Sequence, residues 1–145
     1  MLQTRSVINI IDNTDVISVR CFKPRGIMRL GDLVPCSVVK IGKAKGSKGI
    51  QSKGKIASQG NTTGRTTFKR GDVVHALVVN TISTNRRGFK NNGIRTSFGG
   101  NTGIIMINSG KEGWIPVGTR IMGAIPRSLR EKGWSNVVGR AEYVV

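Results

Sequence analysis

Acidic residues are what this chain most lacks. Seven Asp and Glu stand against 24 Lys and Arg, for a formal charge of +17 and a pI near 11.4. A globule so charged repels itself, and the excess makes sense where a polyanion supplies the counter-charge. The few acids are also unevenly spread, with none between Asp32 and Asp72 or between Asp72 and Glu112. Cysteine is limited to Cys21 and Cys36, without a Cys-x-x-Cys pair, and His75 is the one histidine. That is too few ligands for a structural zinc site. Both cysteines fall in predicted strands, which predicts buried free thiols and a reducing compartment. No apolar run approaches the roughly 18 residues of a membrane-spanning helix. A basic amphipathic helix or lipid anchor is also missing, so nucleic acid is favoured over a membrane surface.

Catalytic signatures are missing as well. Neither Gly-x-Gly-x-x-Gly nor Gly-x-x-x-x-Gly-Lys-Ser/Thr occurs. The carboxylates sit mostly at turns, no Ser/His/acid or Cys/His grouping follows from the spacing, and His75 reads as an ordinary strand residue. An enzyme needs a positioned acid, base or nucleophile; none is identifiable, and no cofactor or metal is expected. Residues 1–11 carry one arginine and run directly into an apolar strand, lacking the design of a secretory signal or an import presequence. The expectation is a chain made where it works, or one whose leader has been removed.

What is present reads as β-structure in a single domain of 145 residues. An apolar run at 7–11 ends in the turn Asp12-Asn13-Thr14-Asp15. Residues 16–23 alternate, with Ile17, Val19 and Cys21 on one side and Ser18 and Arg20 on the other, as in a half-buried antiparallel strand. Gly31-Asp32 opens a strand to Ile41, and the same phrase, Gly71-Asp72, opens another to about Ile82. Glycine with φ > 0 followed by an Asp that accepts nearby amides is a tight-turn signature. Asn91-Asn92-Gly93 signals a hairpin, short strands follow at 94–98 and 103–108, and Trp114-Ile115-Pro116-Val117 leads into the segment 118–134. About six short strands at these intervals predict a small antiparallel barrel or sandwich.

Two basic segments stand out. Residues 42–69 hold Lys43, Lys45, Lys48, Lys53, Lys55, Arg65 and Lys69 among regularly recurring glycines, with no apolar period. So long a connection is either functional or disordered; it reads as an arm that orders on RNA or as a solvated insertion. Arg86, Arg87, Lys90 and Arg95 form a second basic stretch, in which Phe89 is placed to stack on a base. The segment 118–134 carries the one short helix, predicted over 126–132. Pro126 suits a first helical position, and Gly133 suits a left-handed cap. Ile125 and Leu129 then share an inward face while Arg127 and Arg130 share an outward one. That outward face is a solvated charge ring or an RNA contact. The apolar pieces 134–138 and 141–145 are placed to close the sheet edge.

The chain resembles the universal large-subunit ribosomal protein fourteen family. The resemblance rests on Met1-Leu2-Gln3, Asp12-Asn13, Val19-Arg20-Cys21-Phe22-Lys23, Gly31-Asp32, Lys69-Arg70-Gly71-Asp72-Val73-Val74 and Ala76-Leu77-Val78-Val79. It continues through Arg86-Arg87, Gly93-Ile94-Arg95, Phe98, Asn101, Gly118-Thr119-Arg120-Ile121, Gly123 and Leu129-Arg130-Glu131. It implies a five-stranded β-barrel with a β-ribbon and a small helical C-terminal region. It also implies a non-catalytic role in the large ribosomal subunit. The implied partners are large-subunit rRNA, ribosomal proteins three and nineteen, small-subunit rRNA across an intersubunit bridge, and a ribosome-silencing factor.

By position the resemblance points to Thr119 and Arg120 as partner-facing, with Arg127 and Arg130 on the neighbouring helix. The chain departs from the family at Asn13-Thr14-Asp15, at Phe98-Gly99-Gly100-Asn101, at Asn136, at 141–145 and in the length of 42–69. Such divergence, with a basic extension, points to a mitochondrial ribosome, the alternative being the cytoplasm of a bacterium. The competing functional reading is a soluble RNA-binding translation or regulatory factor that cycles on and off the ribosome.

Overall fold

Two turns of the same chemistry begin two neighbouring strands. Gly31 and Gly71 adopt φ of +82° and +92°. Asp32 accepts the Arg29 N–H at 2.6 Å, and Asp72 accepts the Lys69 N–H at 2.7 Å. Each carboxylate thus closes its own turn, and the strands β3 (Leu33–Ile41) and β4 (Val73–Asn80) follow. In the computed structural model the described residues are 2–22, 26–42, 68–82, 97–110 and 113–145. The other elements are β1 (Val7–Ile10), β2 (Val16–Cys21), β5 (Thr102–Asn108), β6 (Trp114–Pro116) and β7 (Ile121–Ile125), then α1 (Ser128–Glu131), α2 (Ser135–Val138) and β8 (Ala141–Val144).

Strands β1 to β5 are neighbours in chain order through antiparallel ladders. They close into a five-stranded barrel where β1 meets β5, at Asn9 opposite Thr102 and Ile10 opposite Gly103. That last joint is parallel, while the other four of the barrel are antiparallel as expected. β6 extends the β5 edge, and β7 pairs with β8 in a separate parallel ribbon. A parallel pair needs a long crossover; residues 126–140, with both helices, supply it. The apolar pieces near the end therefore do not close the barrel edge: 135–138 are helical, and β8 serves β7.

β4 and β5 are buried on both faces. Val74, Ala76, Val78 and Ile105 point into the barrel with Ile8, Val19, Cys21, Val34, Cys36 and Val38. Leu77, Val79, Ile104 and Met106 point outward and are covered by Ile121, Ile125, Leu129, Val137 and Val138. An antiparallel strand usually alternates between apolar and polar because one face is wet. Here the C-terminal unit covers the second face, so Leu77-Val78-Val79 reads as a continuous apolar run.

Sequence alternation fails in β2. Ile17 was expected inside and is 49% exposed, while Ser18 is only 5% exposed. The β2–β3 register shifts on both sides of Ser18. Such an irregularity moves side chains to the opposite face, and the expected pattern resumes at Val19. The C-terminal helix is shorter than predicted and starts at Ser128 rather than Pro126. The Arg127 N–H is drawn to the Val145 carbonyl, and the first turn closes through Leu129 N–H to Pro126 O and Arg130 N–H to Arg127 O. Its end matches expectation: Gly133 has φ +86°, with Gly133 N–H on Arg130 O and Trp134 N–H on Leu129 O. That pair of bonds is a Schellman cap. The hairpin turn expected at 91–93 and most of the strand expected at 94–98 lie outside the described residues, as does nearly all of the 42–69 insertion.

Closure of the barrel depends on a missing side chain. A Cβ at Gly103 would stand 2.8 Å from the Leu77 carbonyl oxygen and 2.9 Å from Ile8 Cγ2. Gly103→Ala is therefore expected to cost about 1–3 kcal/mol, as other overpacked cores do. Urea unfolding followed by tryptophan emission reads this directly; an unchanged midpoint would mean that β1 and β4 yield freely around the joint.

Candidate functional site

The exposed loop ahead of β7 is held from two sides. On one side is the turn after β1. Asp12, buried at 7% exposure, accepts the Thr14 N–H at 3.0 Å through Oδ1, which also takes the Thr14 hydroxyl. Its Oδ2 accepts the buried Ile105 N–H of β5 at 2.9 Å. One carboxylate thus closes its own turn and satisfies a backbone donor in the barrel wall, where an orphaned N–H is costly. Burial raises the Asp12 pKa above its ordinary value, and the three donated hydrogen bonds only partly oppose this.

Asn13 then reaches the loop itself. Its Nδ2 donates to Thr119 Oγ1 at 2.9 Å, its Oδ1 accepts the Arg120 N–H at 3.3 Å, and its own N–H donates to Arg120 O at 3.2 Å. These three bonds present Thr119 and Arg120 as a fixed, exposed pair. On the other side, the Arg140 guanidinium donates to the carbonyls of Pro116 at 3.1 Å and Gly118 at 3.0 Å. Gly118 is pinched between these supports, since a Cβ there would lie 2.7 Å from Asp12 Cβ and 2.9 Å from Asn13 Oδ1.

Arg127 and Arg130 are exposed at α1, while Leu129 is fully buried. The split between an inward and an outward helix face therefore holds. Lys69 is exposed in the turn before β4. Lys43, Lys45, Lys48, Lys53, Lys55, Arg65, Arg86, Arg87, Lys90 and Arg95 lie outside the described residues. Cations not singled out from the sequence also matter. Lys40 and Arg70 are exposed near Lys69 in chain and sheet, because the Gly71 turn docks on β3 through Gly71 N–H to Val38 O. Both ends of segment 43–67 therefore leave from one basic end of the barrel. Arg140 and Lys132 look like surface cations in sequence, yet both donate to backbone carbonyls, Lys132 Nζ to that of Leu30.

Three of the acids, Asp12, Asp32 and Asp72, accept from backbone amides. Among the described residues, no group of three His, Cys, Asp or Glu is placed to hold a metal ion. The arrangement is a rigid scaffold with cationic side chains on its surface, suited to phosphate contact and protein docking.

The whole chain, residues 1–145, matches the model of the family described as Ribosomal protein L14p/L23e. A protein of Neurospora crassa described as "Large ribosomal subunit protein uL14m" is 31% identical over 141 residues, covering 97% of this chain and 97% of that protein.

Asp12→Ala strands the Ile105 N–H and is expected to cost about 1–3 kcal/mol from that donor alone. The folded carboxyl also binds its proton more tightly than the unfolded one. Its contribution is therefore fully present below the unfolded pKa and is lost as pH rises through the higher folded value. Urea midpoints from pH 3 to pH 7, compared between the parent and Asp12→Ala, should differ in this sense; a parallel pair of curves would remove Asp12 from the pH dependence.

Proposed function

The chain belongs to the ribosomal protein L14p/L23e family, and from that premise we propose that it holds rRNA and faces partner molecules within a mitochondrial large ribosomal subunit. Membership over the full length is the observation that carries this reading, and it makes the chain a structural constituent of the large subunit rather than an enzyme. The fungal relative named uL14m supports the mitochondrial assignment.

In this proposal the barrel acts as a rigid carrier. Lys43, Lys45, Lys48, Lys53, Lys55, Arg65 and Lys69, with Arg86, Arg87, Lys90 and Arg95, contact rRNA phosphates, which fix position without reading sequence. The charge of +17 supports this, since so few acids are available to oppose it. Lys40 and Arg70 join the first group, because the barrel end that carries them is where the arm departs.

The second surface is the loop of Thr119 and Arg120 with Arg127 and Arg130. We assign it to contacts across the subunit interface and to neighbouring ribosomal proteins three and nineteen, and to a silencing factor that would block subunit joining. Rigidity supports this role: a loop already fixed by Asn13 loses little freedom when a partner docks.

Sedimentation through sucrose gradients tests the reading. At both moderate and high salt the native protein is expected to stay with the large subunit; recovery in the free fraction at moderate salt would favour the cycling factor instead. On isolated rRNA, neutralisation of about six to ten phosphates should lower affinity by roughly 10³–10⁵ between 50 and 200 mM salt. A salt-insensitive affinity would end the electrostatic part of the account. Deleting residues 42–65 should leave the urea midpoint of the barrel nearly unchanged but reduce incorporation into subunits, and normal incorporation would make the arm dispensable.

A further inference from the structure

The barrel core contains two thiols that the ribosomal role does not use. Cys21 on β2 and Cys36 on β3 are register partners, both fully buried and both free. Their sulfurs lie 3.3 Å apart, with Cys36 Sγ donating to Cys21 Sγ. Backbone bonding explains so close an approach. The Cys21 N–H donates to Ser6 O at 3.0 Å and its carbonyl accepts the Arg5 N–H at 2.8 Å, so both polar groups face away from β3. The next residue, Phe22, donates across to Pro35 O. Cys21 and Cys36 therefore form a non-hydrogen-bonded antiparallel pair, the position with Cα atoms about 4.5 Å apart and side chains closest. That separation lies within the roughly 4.4–6.8 Å span that a disulfide bridges.

We propose that Cys21 and Cys36 are an intramolecular redox pair, oxidised by a hydroperoxide to a cross-strand disulfide that staples β2 to β3 inside the folded barrel. The first step is attack of the Cys21 thiolate on a peroxide oxygen. The O–O bond breaks, Cys21 becomes a sulfenic acid, and the departing hydroxide is protonated to water. The Cys36 thiolate then attacks the Cys21 sulfur. The S–O bond breaks, hydroxide leaves and is protonated, and the disulfide remains. Two thiols give up two electrons and two protons, and hydrogen peroxide becomes two waters.

The order of attack follows from the contact between the sulfurs. Cys21 accepts the hydrogen bond and its pKa is lowered despite burial; Cys36 donates it and its pKa is pushed up. The thiolate is the nucleophile, so Cys21 reacts first and Cys36 resolves. Burial makes the pair slow and restricts it to a small oxidant. It also holds the resolving sulfur in place before the sulfenic acid forms, which favours the disulfide over further oxidation.

The reduced full-length protein is treated with hydrogen peroxide in native buffer, alkylated after denaturation, and examined by intact mass and peptide mapping. The expected result is a monomer lighter by two hydrogens, with Cys21 and Cys36 peptides joined, restored by dithiothreitol. Cys36→Ser should not form this species and should instead accumulate a sulfenic acid on Cys21, captured by a 1,3-diketone. Recovery of two alkylated thiols would overturn the proposal, as would a crosslink between two copies. So would a disulfide that forms only at urea concentrations that unfold the barrel. The readout uses the isolated chain, so its outcome is independent of the ribosomal assignment.

Discussion

Burial of β4 and β5 on both faces is the constraint on which the rest of the structure depends. Their inward residues fill the barrel, and their outward residues, Leu77, Val79, Ile104 and Met106, need a second cover. The chain after Pro116 supplies that cover, with Ile121 and Ile125 from β7, Leu129 from α1, and Val137 and Val138 from α2. Neither helix exceeds four residues, so intrinsic propensity cannot hold them. They persist because their apolar side chains are the second wall of the central strands. Trp134, whose indole N–H reaches the Gly31 carbonyl at 3.0 Å, pins this wall to the turn that opens β3.

The same arrangement determines where the exposed loop before β7 sits. To cover the outer face, the chain must leave β6 and come past the turn after β1 before it enters β7. Asp12 and Asn13 occupy that crossing. Asp12 looks inward to β5 and Asn13 looks outward to Thr119 and Arg120. Adjacent residues thus join the core to the surface, and the exposed pair inherits the rigidity of the barrel. A loop supported in this way is closer to a part of the sheet than to a flexible connection.

Features governed by local chemistry were legible in the sequence. The Gly31-Asp32 and Gly71-Asp72 turns, the left-handed cap at Gly133 and the outward placement of Arg127 and Arg130 all depend on residues within a few positions of one another. Features governed by distant partners were not. Nothing near Ile17 and Ser18 announces a shift that depends on pairing with β3. β7 went unrecognised because Ile121-Met122-Gly123-Ala124-Ile125 is interrupted by glycine and its partner strand begins at Ala141. Charge alone could not separate Arg120, which is exposed, from Arg140, which is committed to two carbonyls. Cys21 and Cys36 were legible as buried thiols, but only the register brings their sulfurs together.

The parallel joint between β1 and β5 has a consequence for how the protein is made. Asp12 and Ile105, whose bond lies beside that joint, are separated by 93 positions. Contacts so far apart close late, since the loop entropy between them must be overcome before they contribute. During synthesis from the N-terminus, β1 emerges early but cannot find β5 until most of the chain has followed. For that interval one edge of β1 is an unpaired strand on a strongly cationic chain, open to wrong strands and to any nearby polyanion. Completing the barrel removes that edge, so the nascent protein is at its most adhesive just before it acquires its rigid shape.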